Sequence, residues 1–341
     1  VSSGIDGLGE RISGNASPED LETMFQLIYL TFTAPRADRT AFKAFQSRLR
    51  GFLENRGARP ETAFADTLSV TLLQYHLRAR PWSESMLDEL DLQRSFDIYQ
   101  ERFADASDFT FFFVGNFDPP KLKPLVQVYL GGLPSLGRRE TWKDVGMRYP
   151  KGVIEKTVWR GQEPKSLIRM VFSGPFEWSW ENRYALGSMR HAFEIKLMEV
   201  LREDLGGTYG VGVGSSRSHY PTSDYSLSIT FGCNPERVEE LTQVVFSQID
   251  SLKQVGLPQS YIDKVKEIQR RDNETDLKEN GHWLSTLRFY YYHHEDPHNL
   301  LKVGNRIDSL TPEVVQEAAQ RYFDLENYVK VVLKPGKTET P

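Results

Sequence analysis

The order of apolar and polar positions divides the chain into helical and strand-like stretches. Leu21, Phe25, Ile28 and Phe32 recur at helical spacing behind Ser17-Pro18-Glu19-Asp20. There Ser17 reads as the N-cap, Pro18 as the first helical residue and the two acids as first-turn charges facing the helix dipole. Pro35 ends this helix. Phe42, Phe45, Leu49 and Phe52 mark a second helix, with Lys43, Arg48 and Arg50 between them. Helices are expected over 62–77 and 92–104, and a short, buried, aromatic strand over 109–114. Residues 1–14, rich in glycine and serine, read as the end of a strand or as loop.

Residues 115–152 carry Pro119, Pro120, Pro124, Gly131, Gly132, Pro134, Gly137 and Pro150, and an interdomain linker is placed at 133–152. Strands are then expected over 153–159 and 166–173, and a long helix over 181–205. Leu186, Met189, Phe193, Leu197 and Leu201 step by three or four along that helix and form one apolar stripe. Gly206-Gly207 stops it. A strand hairpin (208–219 and 224–232), helices over 235–254, 258–277, 280–292 and 312–323, and a strand over 327–333 complete the pattern. The order predicts an α+β fold, with helices packed on a largely antiparallel sheet.

The pattern nearly repeats. Tyr99-Gln100-Glu101-Arg102-Phe103 parallels Ala319-Gln320-Arg321-Tyr322-Phe323, and Gly14 through Glu22 parallels Gly232 through Glu240, at offsets of about 220 and 218 residues. A near-constant offset of domain size predicts a duplicated unit. The counterpart of the second copy's opening, 153–217, falls before Val1. The expectation is therefore a truncated first unit (1–132), a linker (133–152), a complete second unit (153–341), and a chain that is part of a longer polypeptide.

Composition narrows the function classes. With 39% hydrophobic and 26% charged residues among 341, the chain is ordinary for a globular protein long enough for two cores. A net charge of -5 supplies no dominant basic field, so no nucleic-acid partner is expected. The single cysteine, Cys233, excludes an intrachain disulfide and a cysteine-based zinc site. No apolar run is long enough for a membrane span.

Three constellations bear on chemistry. His294-Glu295-Asp296-Pro297-His298 matches H-E-x-x-H, which binds zinc when residues i and i+4 share a helix face. Pro297 pushes Asp296 away from the α region and lacks the N–H that a helix interior needs, so a polar loop is expected instead. Gly210-Val211-Gly212-Val213-Gly214 has dinucleotide-loop spacing, but it follows a helix and alternates like a strand. Arg202 and Tyr209 flank Gly206-Gly207, and a chain folding back there brings a guanidinium and a phenol together as a donor pair for a carbonyl or a developing oxyanion. The dipole favours an arginine at a helix C-terminus in any case, and a strand tyrosine is commonly a core residue.

Leu201 through Val211 resembles the pattern in the last domain of the pitrilysin/insulysin zinc metallopeptidases, a family that includes the mitochondrial processing peptidases. Ser17 through Glu22, followed by Ala34-Pro35-Arg36, resembles the third domain of its bacterial members. The resemblance implies duplicated α+β domains forming half of a clamshell. The family's zinc motif, H-x-x-E-H, lies in its N-terminal half. None of His76, His191, His219, His282, His293, His294 and His298 begins such a motif. The resemblance thus implies a C-terminal half with no catalytic residue and no metal ligand of its own. Zinc and the general base are then supplied by an N-terminal partner half, on the same or a separate chain. It further implies a peptide substrate in a closed chamber. Arg202 and Tyr209, with Thr208 beside them, are implied to bind substrate and position the scissile carbonyl. A purely structural partner subunit of the same fold is the alternative. A periplasmic or otherwise exported location follows if the source is bacterial.

Overall fold

The structure, a computed structural model, describes residues 1–208 and 210–336. Its elements run β1 (Ser2–Ile5), β2 (Glu10–Ser13), α1 (Leu21–Thr33), α2 (Arg39–Arg56), α3 (Pro60–Leu72), α4 (Leu92–Arg102), α5 (Pro119–Leu125), β3 (Val153–Trp159), β4 (Ser166–Pro175) and α6 (Trp180–Met198). They continue with β5 (Val211–Ser218), β6 (Asp224–Cys233), α7 (Val238–Gln254), α8 (Gln259–Asp276), α9 (Asn280–Tyr292), α10 (Val303–Asp308), α11 (Pro312–Tyr322) and β7 (Tyr328–Lys334). The expected α+β organisation is present. α2 and α8, α3 and α9, and α4 and α11 are pairs of equal length displaced by 220 residues.

The chain forms two compact units that interleave, where the sequence suggested consecutive ranges on either side of 133–152. The first comprises 1–54, 82–143 and 279–294, and the second 55–81, 144–278 and 295–341. α3 therefore belongs to the second unit and α9 to the first. Their sequence neighbours do not reveal this, because amphipathic spacing says only that a face is buried, not against what.

In the first unit β1 and β2 form an antiparallel hairpin from Ser2↔Ser13 to Ile5↔Glu10, where the sequence suggested a strand end or loop. Asp6 Oδ1 closes its turn by accepting the N–H groups of Leu8 and Gly9. Ile28, Phe32, Phe103 and Leu133 make the core. The aromatic stretch 109–114 joins no sheet among the described residues. Its rings pack instead: Phe109 lies edge-on to Phe32 at 4.9 Å and Phe113 stacks on Phe25 at 5.2 Å. A strand needs ladder partners. Its repeat counterpart β7 has them in β3 and β4, and no described strand stands in that relation to 109–114.

In the second unit five strands run in the order β3-β7-β4-β6-β5, parallel between β3 and β7 and antiparallel elsewhere. Alternation along β4 sends Ile168, Met170 and Phe172 into the core built with α6, α7, α8 and α11, while Val171 faces Phe64 and Leu68 of α3 on the opposite side. α3 stops at Leu72, short of the expected 77, because Gln74 and Tyr75 adopt left-handed backbone (φ 52° and 57°). His294, 220 residues beyond Gln74, does the same after α9 (φ 55°). β5 is an edge strand.

Candidate functional site

α6 does not end at Met198. It passes into a wider π-helical turn, Glu199–Asp204, so that the helix reaches 204 much as its apolar stripe predicts. Leu205 N–H donates to Val200 O at 3.2 Å, Gly206 N–H to Arg202 O at 3.1 Å and Gly207 N–H to Leu201 O at 2.9 Å, closing the helix end. Gly206 supplies the left-handed step (φ 54°). Leu201 is fully buried and anchors the turn. A Cβ at Gly207 would lie 2.7 Å from Leu241 Cδ2, so the chain passes close against α7 there. Arg237, held by Glu240 at 2.9 and 2.6 Å, donates to Leu205 O at 3.3 Å.

On this turn Arg202 is exposed, and among the described residues its side chain makes no hydrogen bond or ion pair. Thr208 is buried. Its hydroxyl accepts from Gly210 N–H at 3.2 Å and donates to Gly210 O at 2.9 Å, so it shapes the loop that carries position 209. Tyr209 itself lies outside the described residues.

Gly210 through Gly214 has strand rather than nucleotide-loop character, and Val211–Ser218 is β5. At 294–298 the backbone turns at His294, Glu295 is bound by Arg183, and His298 Nδ1 lies 2.8 Å from Asp296 Oδ1. The H-E-x-x-H carboxylate is thereby committed to an ion pair, and the helical face a zincin requires does not form. Among the described residues no three His, Cys, Asp or Glu side chains group as metal ligands, so this donor set does not fit a zinc ion.

Sequence reading missed a contact between α6 and the sheet edge. Glu194 Oε1 accepts the N–H of Val213 at 3.2 Å, and Arg190 donates to the C=O of Val213 at 3.2 Å. The two side chains pair with each other at 2.8 Å. Burial depresses the Arg190 pKa against the opposing pull of Glu194. The i, i+4 spacing of Arg190 and Glu194 was visible in the sequence. Their target was not.

The family model for the peptidase M16 inactive domain matches residues 90–269. The chain belongs to this family. A zinc protease PQQL-like protein of Arabidopsis thaliana is 26% identical to this M16 chain, covering 94% of it and 36% of the relative. The probable zinc protease PqqL of Escherichia coli is 21% identical over 98% of the chain and 36% of the relative. The chain thus spans about a third of the length of the curated relatives it matches. The crystal structure of the periplasmic protease PqqL from Escherichia coli superposes with a TM-score of 0.81 at 21% identity, over 94% of this chain and 35% of that one. The first half of the same protease superposes at 0.72 and 13% identity, over 93% of this chain and 71% of that one. Both likenesses establish the fold, that of an M16 protease half. No described helix of this M16 chain is long and apolar enough to cross a membrane.

Proposed function

We propose that this chain is the non-catalytic, substrate-binding half of a zinc metalloendopeptidase that hydrolyses peptides in a closed chamber. In this reading zinc and the general base belong to an N-terminal half. The observation that carries it is the exposed Arg202 guanidinium, which has no partner among the described residues and sits on a braced turn of an M16 inactive domain. Arg202 and Tyr209 hold the scissile carbonyl of an extended peptide and offer donors where negative charge develops on its oxygen. Thr208 sets the loop between them. The periplasmic relative supports an exported location.

The first unit is further proposed to be a truncated version of the second. In α8, Ile262 and Val265 are fully buried, and α6 is among their neighbours. At the corresponding positions of α2, Phe42 is half-buried and Phe45 is 45% exposed. An α6-like helix is the element that would cover them.

The test is peptide turnover by the chain assembled with its N-terminal half. Arg202→Ala and Tyr209→Phe should each lower turnover by about 10²-fold, with zinc content unchanged. Unchanged turnover, or loss of zinc in either variant, overturns the assignment.

A further inference from the structure

The second unit holds a buried phenol whose hydroxyl bonds to nothing. Tyr322, the last residue of α11, is 2% exposed. Its ring stacks on Phe176 at 5.8 Å and lies edge-on to Tyr225 at 4.9 Å. Tyr225 is satisfied, because its own hydroxyl donates to Tyr322 O at 3.1 Å. The Tyr322 hydroxyl is buried and has no hydrogen-bond partner among the described residues. Burial pushes its pKa up, against the pull of Arg321 and Arg217. A buried donor in that state forfeits free energy that an acceptor would return, and native structures rarely leave one so.

Arg217 comes to the same place from β5. It stands opposite Tyr225 in the β5–β6 register, and therefore on the face of the sheet that Tyr225 shares with α6 and α11. It acts electrostatically on Tyr322, and its guanidinium has no hydrogen bond or ion pair among the described residues. Arg217 keeps exposed surface, yet the protein around it pushes its pKa down, and Arg183 and Arg190 push the same way. Arg183 is neutralised by Glu295 at 2.7 Å and Arg190 by Glu194 at 2.8 Å. Arg321 is engaged by Asn182 Oδ1 at 2.7 Å. The charge left without a counterion is that of Arg217.

We propose that Tyr322 and Arg217 hold a chloride ion, which accepts the phenol O–H and neutralises the guanidinium. A guanidinium accepts no hydrogen bond, so the two groups cannot satisfy each other with the phenol as donor. A water molecule would take the O–H but leave the charge of Arg217 uncompensated. An anion serves both. A tetrahedral dianion would bring more oxygens than one phenol and one guanidinium can satisfy, and Glu177, which also acts on the Tyr322 phenol, repels a second negative charge. A compact monovalent anion meets both limits. The site stabilises the end of the sheet and its packing on α11, and it rests on neither Arg202 nor Tyr209.

The experiment is thermal unfolding of the chain in sodium chloride and in sodium gluconate at one ionic strength, with chloride NMR line width as the direct measure of binding. Chloride at about ten times its dissociation constant should raise the midpoint by about 3 °C over gluconate. Tyr322→Phe keeps the ring and removes the unpaired hydroxyl. In gluconate it should unfold no lower than the unaltered chain, and the gain from chloride should vanish. Arg217→Gln should lose the same gain. The excess line broadening seen with the unaltered chain should be absent from both variants. General salt effects act on all three proteins alike and cancel in the comparison. Equal midpoints of the unaltered chain in the two salts overturn the proposal, as a water alone at the site would give. So does a chloride gain that persists in Tyr322→Phe, or a gain with acetate and none with chloride, which would assign the site to a carboxylate. None of these outcomes bears on turnover through Arg202 and Tyr209, so the two readings fail separately.

Discussion

The guanidinium of Arg183 grips the carboxylate of Glu295 through two hydrogen bonds, 2.8 Å from Nη1 and 2.7 Å from Nη2. Trp178 Nε1 donates to the same carboxylate at 3.0 Å, and its ring lies 4.5 Å from the guanidinium. The side chains are 9% and 20% exposed, so removing one leaves the other desolvated and without its opposite charge in this pair. Glu295→Ala should therefore cost about 3 kcal/mol in urea denaturation. A double Arg183→Met, Glu295→Leu variant should recover much of that loss. Equal destabilisation by the single and double variants would argue that the cluster matters by shape and not by charge.

That commitment of Glu295 bears on metal binding. The isolated chain, exposed to zinc and dialysed, should retain well under one ion per chain, and His294→Ala and His298→Ala should leave the residue unchanged. About one zinc per chain by elemental analysis, abolished by His294→Ala, would make this segment a direct zincin.

The passage of Gly207 against Leu241 gives a steric prediction. Gly207→Ala places a Cβ within 3.0 Å of both Leu241 methyl carbons and 3.3 Å from Arg237 Nη1. Leu241 is fully buried and has little room to yield. The variant should lose about 1–3 kcal/mol on thermal unfolding. Because the strain falls on the loop bearing Thr208, turnover of the assembled enzyme should fall more than the fraction folded does.

Asp105 predicts a pH dependence. It is buried, which alone raises a carboxyl pKa. It nevertheless accepts the Ser107 hydroxyl at 2.6 Å and the N–H groups of Leu136, Ser107 and Arg138 at 3.0, 2.9 and 2.8 Å, and these hold it well below the usual carboxylate range. A depressed carboxylate contributes its full stability above its unfolded pKa of about 4 and loses it as pH falls further. Asp105→Asn should be less stable at neutral pH, and its unfolding midpoint should change less than that of the unaltered chain between pH 5 and acid, about 2 units below. Parallel pH profiles would contradict the assignment.

Cys233 is buried at the end of β6, and burial pushes its thiol up to about 11. Titration with a chromogenic disulfide at pH 8 should find the native thiol slow and the denatured thiol fast. Rapid reaction of the native chain would show β6 opening locally.

Much of this architecture was legible because it rests on local chemistry. Gly206-Gly207 marked the helix end, the strand expected over 224–232 is β6, and the 220-residue offset recurs in helix pairs of equal length. What escaped depends on partners remote in sequence. Glu295 reads as half of a metal motif until Arg183, 112 residues away, takes it. Phe109 to Val114 reads as a strand because aromatic content reports burial and not a ladder. Phe64 and Leu68 declare a buried face without naming the sheet they cover. For the candidate site, the spacing around two glycines suggested that Arg202 meets Tyr209, and Tyr209 lies outside the described residues. The contact of Arg190 and Glu194 with the Val213 main chain carries no sequence signature, because N–H direction is set by register and not by residue type.

The interleaving of the units orders the birth of this protein. The first unit draws its last helix, α9, from residues 279–294, with Phe112 edge-on to Tyr291 at 5.6 Å. On a ribosome that helix emerges only after β3 to β6 and α6 to α8 of the second unit have been made. Of the two units, the one begun earlier is thus completed only after most of the other has been made, and until then its aromatic surface lacks that helix. Translation through 144–278 is the interval in which the nascent chain most needs chaperone cover.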